Sequence, residues 1–313
     1  MSIFSSVWQF LSVVRLPRVA TGFVDNSLVA LELRKRRNQL NLERIGSVVL
    51  PKSLVKPDFS EPNIADPTSL ANLLRQVAEE AGLTRESRWS IALPEGVASS
   101  LVINFDNQPE SRQELEEMTA WKVERVLGVE SAQLRLVRQQ ISSVGPPRFL
   151  VTAVHESVIA EYEAVFRLLG WHTGLIMPRH IGESLWLARD GEKGDKLLVS
   201  HSDCGFVAIG LHNEEPVMIR SRSCDLSERE NELYRLAIYY REKFAQEKTI
   251  PLRILTLGGE YELELTQRTF ADAFNDRKFH FLTPAQLSLN IANPGLSFSQ
   301  LAATAGIASL AYN

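Results

Sequence analysis

The sequence predicts an α/β chain with enough length, 313 residues, for about two domains that each bury a core. Three observations carry this. A strand–turn–strand pattern occurs twice, first in VATGFVDNSLVALEL from Val19 and again in KLLVSHSDCGFVAIGL from Lys196. Each is followed further on by an amphipathic helix pattern and a short apolar strand. Between the two copies, residues 97 to 170 alternate strand, helix, strand, strand, helix, the pattern of a compact α+β unit.

Composition narrows the function classes. Lys and Arg number 34 against 38 Asp and Glu, a slightly acidic balance that argues against a phosphate backbone as the main partner. Nucleic acid is therefore not expected. Cys204 and Cys224 are the only cysteines, which suits a reducing cytoplasm and excludes a disulfide-stapled scaffold. No cleavable signal stands out. At the N-terminus Ile3, Phe4, Val7, Trp8, Leu11 and Val14 fall on one helical face, with Ser5, Gln9 and Ser12 opposite. Spanning a bilayer takes about 20 apolar residues, more than this stretch has, and its polar face lacks the basic residues of an anionic-lipid binder. It is expected to dock on the body of the protein, with a membrane or partner surface as the other reading.

From Val19 to Val49 the chain reads as three strands, with turns at Asp25–Ser27 and Lys35–Gln39. The basic run Arg34 to Arg37 reads as a solvated hairpin tip, because no aromatics interleave it. After a Pro-, Lys- and Asp-rich loop, Asp66 is placed to cap a helix with Pro67 at its first position. Leu70, Leu73, Leu74 and Val77 continue it until Gly82. WSIAL (Trp89–Leu93) is a buried strand stopped by Pro94.

In the middle unit a helix is expected from Gln113 to Leu127 and another from Glu156 to Leu169. The second has an apolar stripe of Val158, Ile159, Tyr162, Val165, Phe166 and Leu169. Glu114, Glu116 and Glu117 read as a solvated first turn favoured by the helix dipole rather than as paired acid–base carboxylates. Beyond the second hairpin come an amphipathic helix from Glu228 to Phe244, a strand running into Gly258 and Gly259, and a closing helix of small residues, LAATAGIASLAY. A strand that ends in paired glycines lets a ligand approach the backbone.

Other constellations fail on geometry. His201, Cys204, His212 and Cys224 are wrongly spaced for zinc, since His201 and Cys204 straddle a strand end. Ser200, His201, Ser202 and Asp203 have the residue types of a hydrolase triad, but adjacent residues cannot take up its hydrogen-bonded geometry. No GxxxxGK[ST] run occurs, which excludes a P-loop. His155, His172, His180 and His280 are scattered and read as structural.

The order of these parts resembles the actin-like ATPase fold and, within it, the PilM family of cytoplasmic assembly proteins for type IV pili, mannose-sensitive pili and related type II secretion systems. The stretches that carry the resemblance are GFVDNSLVALEL, WSIALPEG, ELEEMTAWKVERVLGV, FLVTAVHESVIAEYEAVFRLLGW, ELYRLAIYY, ILTLGGE and LAATAGIASL. It implies an α/β, two-lobed actin-like (ribonuclease H-like) fold with an inserted small α+β subdomain. The corresponding division is an N-terminal segment 1–18, a first lobe 19–96, the insert 97–170, a return to the first lobe 171–190 and a second lobe 191–313.

For function, the resemblance implies a scaffold that holds the cytoplasmic N-terminal peptide of a bitopic inner-membrane protein. The chain would then sit at the inner-membrane face, touch the membrane only through that partner, and self-associate into a ring or array. It also implies a nucleotide site whose residues here would be Asp25, Asn26 and Ser27 in the first turn, Asp203 and Gly205 in the second, and Gly258, Gly259 and Glu232 or Arg235 on the base side. The sequence departs from the family at the phosphate side, where Gly22 and Ser200 stand in place of acidic residues. The expectation is accordingly no cofactor and no enzyme activity, with binding of ATP and magnesium by an active switch as the alternative.

Overall fold

The computed structural model describes residues 16–24, 26–37, 39–107, 109–142, 147–244, 251–274, 278–287, 289–290 and 295–312. The N-terminal amphipathic stretch up to residue 15 and Asp25 lie outside them.

Strands β1 (Val19–Val24), β2 (Ser27–Arg36) and β3 (Gln39–Val49) form an antiparallel meander. Period-two alternation then sorts their side chains. Leu28 and Ala30 face one core, and Val29, Leu31 and Leu33 face another. Helix α1 (Pro67–Glu80) starts where Asp66 accepts hydrogen bonds from the backbone of Thr68 and Ser69. It packs on the first core through Leu70, Leu74 and Val77, and β4 (Arg88–Leu93) then runs parallel to β1.

The insert consists of β5 (Ala98–Asn104), α2 (Arg112–Leu127), β6 (Leu134–Ser142) and β7 (Arg148–His155), a three-stranded sheet in the order β5-β7-β6. Its core is its own, with Ile103, Phe105, Val123, Phe149 and Val151 buried together. Helix α3 (Glu156–Leu168) follows, and its stripe of Val158, Ile159, Tyr162, Val165 and Phe166 joins α1 in the core of the first lobe. Its apolar face is thus spent on the larger sheet. Strand β8 (His172–Pro178) completes that sheet on the far side of β4, and α4 (Arg179–Ser184) leads to the second lobe.

The second lobe repeats the first. Strands β9 (Asp195–Ser202), β10 (Gly205–His212) and β11 (Glu215–Ser223) form an antiparallel meander, and α5 (Leu226–Lys243) is followed by β12 (Leu252–Leu257) parallel to β9. After α6 (Glu260–Ala273), β13 (Phe279–Phe281) lies parallel to β12. A two-residue strand β14 (Leu289–Asn290) returns to the edge of the first sheet, and α7 (Phe298–Ser309) opens on a capping box of Ser297 and Gln300.

The sheet orders are β14-β3-β2-β1-β4-β8 and β11-β10-β9-β12-β13, so each lobe carries a meander with parallel strands added beside its first member. Helices α5 and α6 cover the outer face of the second sheet. The inner faces of both sheets close on α7, whose Leu301, Ala302 and Ala305 touch a core shared by Val29 and Leu31 of one lobe and Leu198 and Ile209 of the other. Small side chains on α7 let the sheets approach it closely. Among the described residues no helix is long and apolar enough to cross a membrane.

Candidate functional site: the cleft between the two hairpin turns

In parallel α/β sheets the carboxyl ends of the strands gather at one edge, and ligands bind there. Here the turn after β1 and the turn after β9 face each other across a cleft of about 690 Å³. Asn26 and Asp203 line it from the two turns, and both are exposed. Lys52, Lys56, Glu95, Arg179 and Arg222 add charge to its walls. Ser27, half-buried, begins β2 opposite Val24, and Gly205 begins β10 with φ 143°, a conformation open to glycine.

Of the base-side residues, Glu232 reaches the cleft wall through Arg222, and Gly258 and Gly259 are not among the residues that line it. Glu232 pairs with Arg222 at 3.5 Å and with Arg235 at 2.6 Å, on the side of α5 that faces β11. Gly258 and Gly259 sit instead against β9 and α6. A Cβ on Gly258 would lie 3.1 Å from the Cβ of His201 and 3.0 Å from that of Glu262, and one on Gly259 would lie 2.8 Å from a Glu262 carboxylate oxygen. The glycines thus accommodate neighbouring side chains of the chain itself.

Between the second turn and α6 lies Arg229, a residue that sequence reasoning passed over. Its side chain is 1% exposed. The guanidinium donates to the carbonyl oxygens of Ser202 at 3.0 Å and Asp203 at 3.5 Å and meets Glu262 at 3.5 Å. His201 is buried beside it. Thr266 donates its hydroxyl proton to the carbonyl of Glu262 at 2.8 Å, so His201 Nε2 is the donor in the 2.9 Å contact with Thr266 Oγ1. Burial, followed by the positive charges of Arg229 and Arg179, pushes the imidazole down to about 3. His201 is therefore neutral at any physiological pH.

A second buried network stands at the floor of the cleft. Arg179 donates to Glu183 at 2.7 Å, one turn along α4, and to the carbonyl of His201 in the second lobe at 3.2 Å. Its neighbour His180 meets Glu95 at 3.0 Å through Nδ1 and Ser100 of the insert at 2.9 Å through Nε2, and Ser100 meets Thr152 at 3.1 Å. Two successive residues therefore tie α4 to both lobes and to the insert. Only the i, i+4 spacing of Arg179 and Glu183 in RHIGES hinted at this.

Burial alone would lower His180, but Glu95 foremost and then Glu183 outweigh it, and its pKa is raised. Burial likewise would raise Glu95, but the charge and hydrogen bond of His180 hold it below the ordinary carboxylate range. A raised histidine stabilises the fold fully below its unfolded value of about 6.5 and loses that contribution as pH climbs through the folded value. The stability advantage of the native chain over His180→Gln is accordingly expected to shrink as pH rises from about 6.5. Denaturant unfolding at a series of pH values measures this, and a constant difference would remove the ion pair from the account.

No protein-family model matches the chain, and no curated protein sequence does. Among solved structures, a chain of a PilM–PilN type IV pilus biogenesis complex superimposes with a TM-score of 0.76 at 16% identity, over 96% of this chain and 99% of that one. A Bacteroides thetaiotaomicron protein of unknown function, described as having an actin-like ATPase fold, does so with a TM-score of 0.51 at 10% identity, over 93% of this chain and 96% of that one. Together with the repeated sheet order and the inserted three-stranded unit, these likenesses show that the chain has the actin-like ATPase fold.

Proposed function

We propose that the protein is a scaffold at the cytoplasmic face of the inner membrane, part of a type IV pilus or related secretion machine, and that it holds an extended N-terminal peptide of a bitopic membrane protein. The observation that carries this reading is the likeness, nearly end to end, to a chain solved as part of a PilM–PilN complex. An extended peptide needs a groove with main-chain partners and side-chain pockets, which the packing of lobes and insert can supply without individual catalytic carboxylates.

The nucleotide side of the proposal is a site that has lost its phosphate chemistry. A Cβ on Gly22 would lie 2.1 Å from Thr304 Oγ1, so a carboxylate there would collide with α7. Ser200 is buried within β9. Arg229, His201 and Glu262 fill the space between the second turn and the paired glycines. Phosphoryl transfer depends on metal-held charge at fixed positions, and the one carboxylate among these residues, Glu262, is met by Arg229 at 3.5 Å.

A working ATPase switch is the second reading. It is favoured by one observation, that Asn26 and Asp203 line a single cleft with Lys52 and Lys56. Titration of magnesium-ATP separates the two. The scaffold predicts no saturation below about 1 mM, and stable capture of a co-expressed membrane-protein tail with or without nucleotide. A magnesium-dependent Kd in the low micromolar range, with no tail captured, would establish the switch instead.

A further inference from the structure

We propose that Cys204 and Cys224, the only two cysteines of the chain, are oxidised by peroxide to a reversible intrachain disulfide, a redox-sensitive clasp on the second turn of the cleft. It involves only the chain's own thiols and is independent of the scaffold reading. The two lie 20 positions apart in sequence, and the fold sets them side by side. In the β10–β11 ladder Gly205 stands opposite Ser223 and Phe206 opposite Arg222, so the next pair outward is Cys204 with Cys224. The Cys224 N–H donates to the Cys204 carbonyl oxygen at 3.1 Å. Hydrogen-bonded cross-strand partners have Cα atoms about 5.5 Å apart, inside the window of about 4.4–6.8 Å that a disulfide spans. Cys224 packs beneath α5 in one core with Phe206, and Cys204 stands two positions before Phe206, the spacing that keeps residues on one side of a strand.

The two thiols differ in a way that gives each a role. Cys204 is exposed, in the two-residue turn between Ser202 and Gly205 and on the wall of the cleft, whereas Cys224 is buried. The exposed thiol meets the oxidant. Its thiolate attacks one oxygen of hydrogen peroxide, the O–O bond breaks, hydroxide leaves, and Cys204 becomes a sulfenic acid. The Cys224 thiolate then attacks that sulfur, so the S–S bond forms as the S–O bond breaks and a second hydroxide leaves. The two thiol protons turn both hydroxides into water, and two electrons have passed from the thiols to one peroxide. A dithiol reductant restores the pair by exchange. Transient, redox-sensing disulfides of this kind are the ones a reducing compartment allows. Half of a zinc site is a poorer account of the pair, since no group of three or more metal-ligating side chains gathers among the described residues.

The bond acts on the cleft through the turn. Arg229 of α5 already holds one side of that turn, by the carbonyl oxygens of Ser202 and Asp203. Cys224 directly precedes Asp225, the residue at the start of α5, so a disulfide to Cys204 fastens the other side of the turn to the same helix. Asp203, on the cleft wall, is then held between two anchors. Oxidation stiffens this wall and reduction releases it.

The test is brief exposure of the purified full chain to hydrogen peroxide, then alkylation of the remaining thiols in denaturant and measurement of the intact mass. Both thiols are expected to escape alkylation, with the mass lower by two hydrogens, no covalent dimer on a non-reducing gel, and recovery of both thiols after dithiothreitol. Cys224→Ser should stop at the sulfenic acid on Cys204, which dimedone traps. Cys204→Ser should lose its remaining thiol about tenfold more slowly than the native chain, because Cys224 is buried. Deuterium exchange of the backbone amides from 202 to 205 should slow about tenfold on oxidation and recover with dithiothreitol. Persistence of both thiols, a covalent dimer, sulfinic acid on Cys204 of the native chain, equally fast thiol loss by Cys204→Ser, or unchanged exchange in the oxidised chain would overturn the proposal.

Discussion

Replacing Glu183 by alanine is expected to cost about 3–5 kcal/mol of folding stability, the range for stripping one partner from a buried ion pair. Glu183 is fully buried and the Arg179 side chain is 4% exposed, so the guanidinium left behind could not recover its hydration. Arg179 also donates to the carbonyl of His201, so the damage is expected to reach the junction between the lobes as well as α4. Equilibrium unfolding of the variant measures the loss. The paired replacement Arg179→Met with Glu183→Leu provides the control. Removing both charges and filling the space is expected to recover most of the stability, because a buried pair contributes little over a well-packed apolar one. If the double variant is as unstable as the single one, the contact with His201 and the cleft carries the energy, and the ion pair does not.

Much of this fold was legible because its elements obey local rules. The Asp66–Pro67 start of α1, the apolar runs on either side of both turns and the stripe on α3 each state their own structure, and each is found where the pattern put it. Where α3 spends that stripe was not legible. Its five buried apolar residues fit any sheet of suitable width, and only the fold shows that they meet α1 rather than the insert. Strand β11 was missed because EPVMIRSRS is half polar, as befits an edge strand with one exposed end. Helix α6 was missed because the glycine pair before it drew the reading toward a ligand. Those glycines turn out to give room to His201 and Glu262.

The candidate site was less legible, for a physical reason. Asn26 and Asp203 could be chosen because turns announce themselves by composition. Arg179, His180, Glu95 and Arg229 could not, since a buried charge is recognised by the partner that long-range folding brings to it. Glu95 and His180 are 85 residues apart in sequence. Arg229 and Ser202 are 27 apart. Sequence spacing carries no record of such pairs, and a lone Arg on an amphipathic helix reads as part of its solvated face.

Arg229→Ala is expected to destabilise the second lobe by about 3 kcal/mol, at the lower end of the range for a broken buried pair because Glu262 keeps some contact with water. The Glu262 side chain is 21% exposed, whereas the guanidinium that would be lost is 1% exposed. Three acceptors lose their donor at once: the Ser202 and Asp203 carbonyl oxygens and the Glu262 carboxylate. His201 loses the positive charge that, after burial, does most to hold it neutral, so its pKa is expected to rise from about 3 toward the ordinary histidine range. Titration of the His201 ring protons by NMR reads this directly, and an unchanged titration would show that burial and Arg179 keep the imidazole neutral without Arg229. The same variant bears on function. If Arg229 merely blocks an otherwise competent nucleotide site, removing it should bring magnesium-ATP binding into the micromolar range. If the carboxylates themselves are missing, binding stays weak, because emptying the space supplies no metal-held charge. The second outcome is expected from Gly22, where Thr304 occupies the room that a side chain would need.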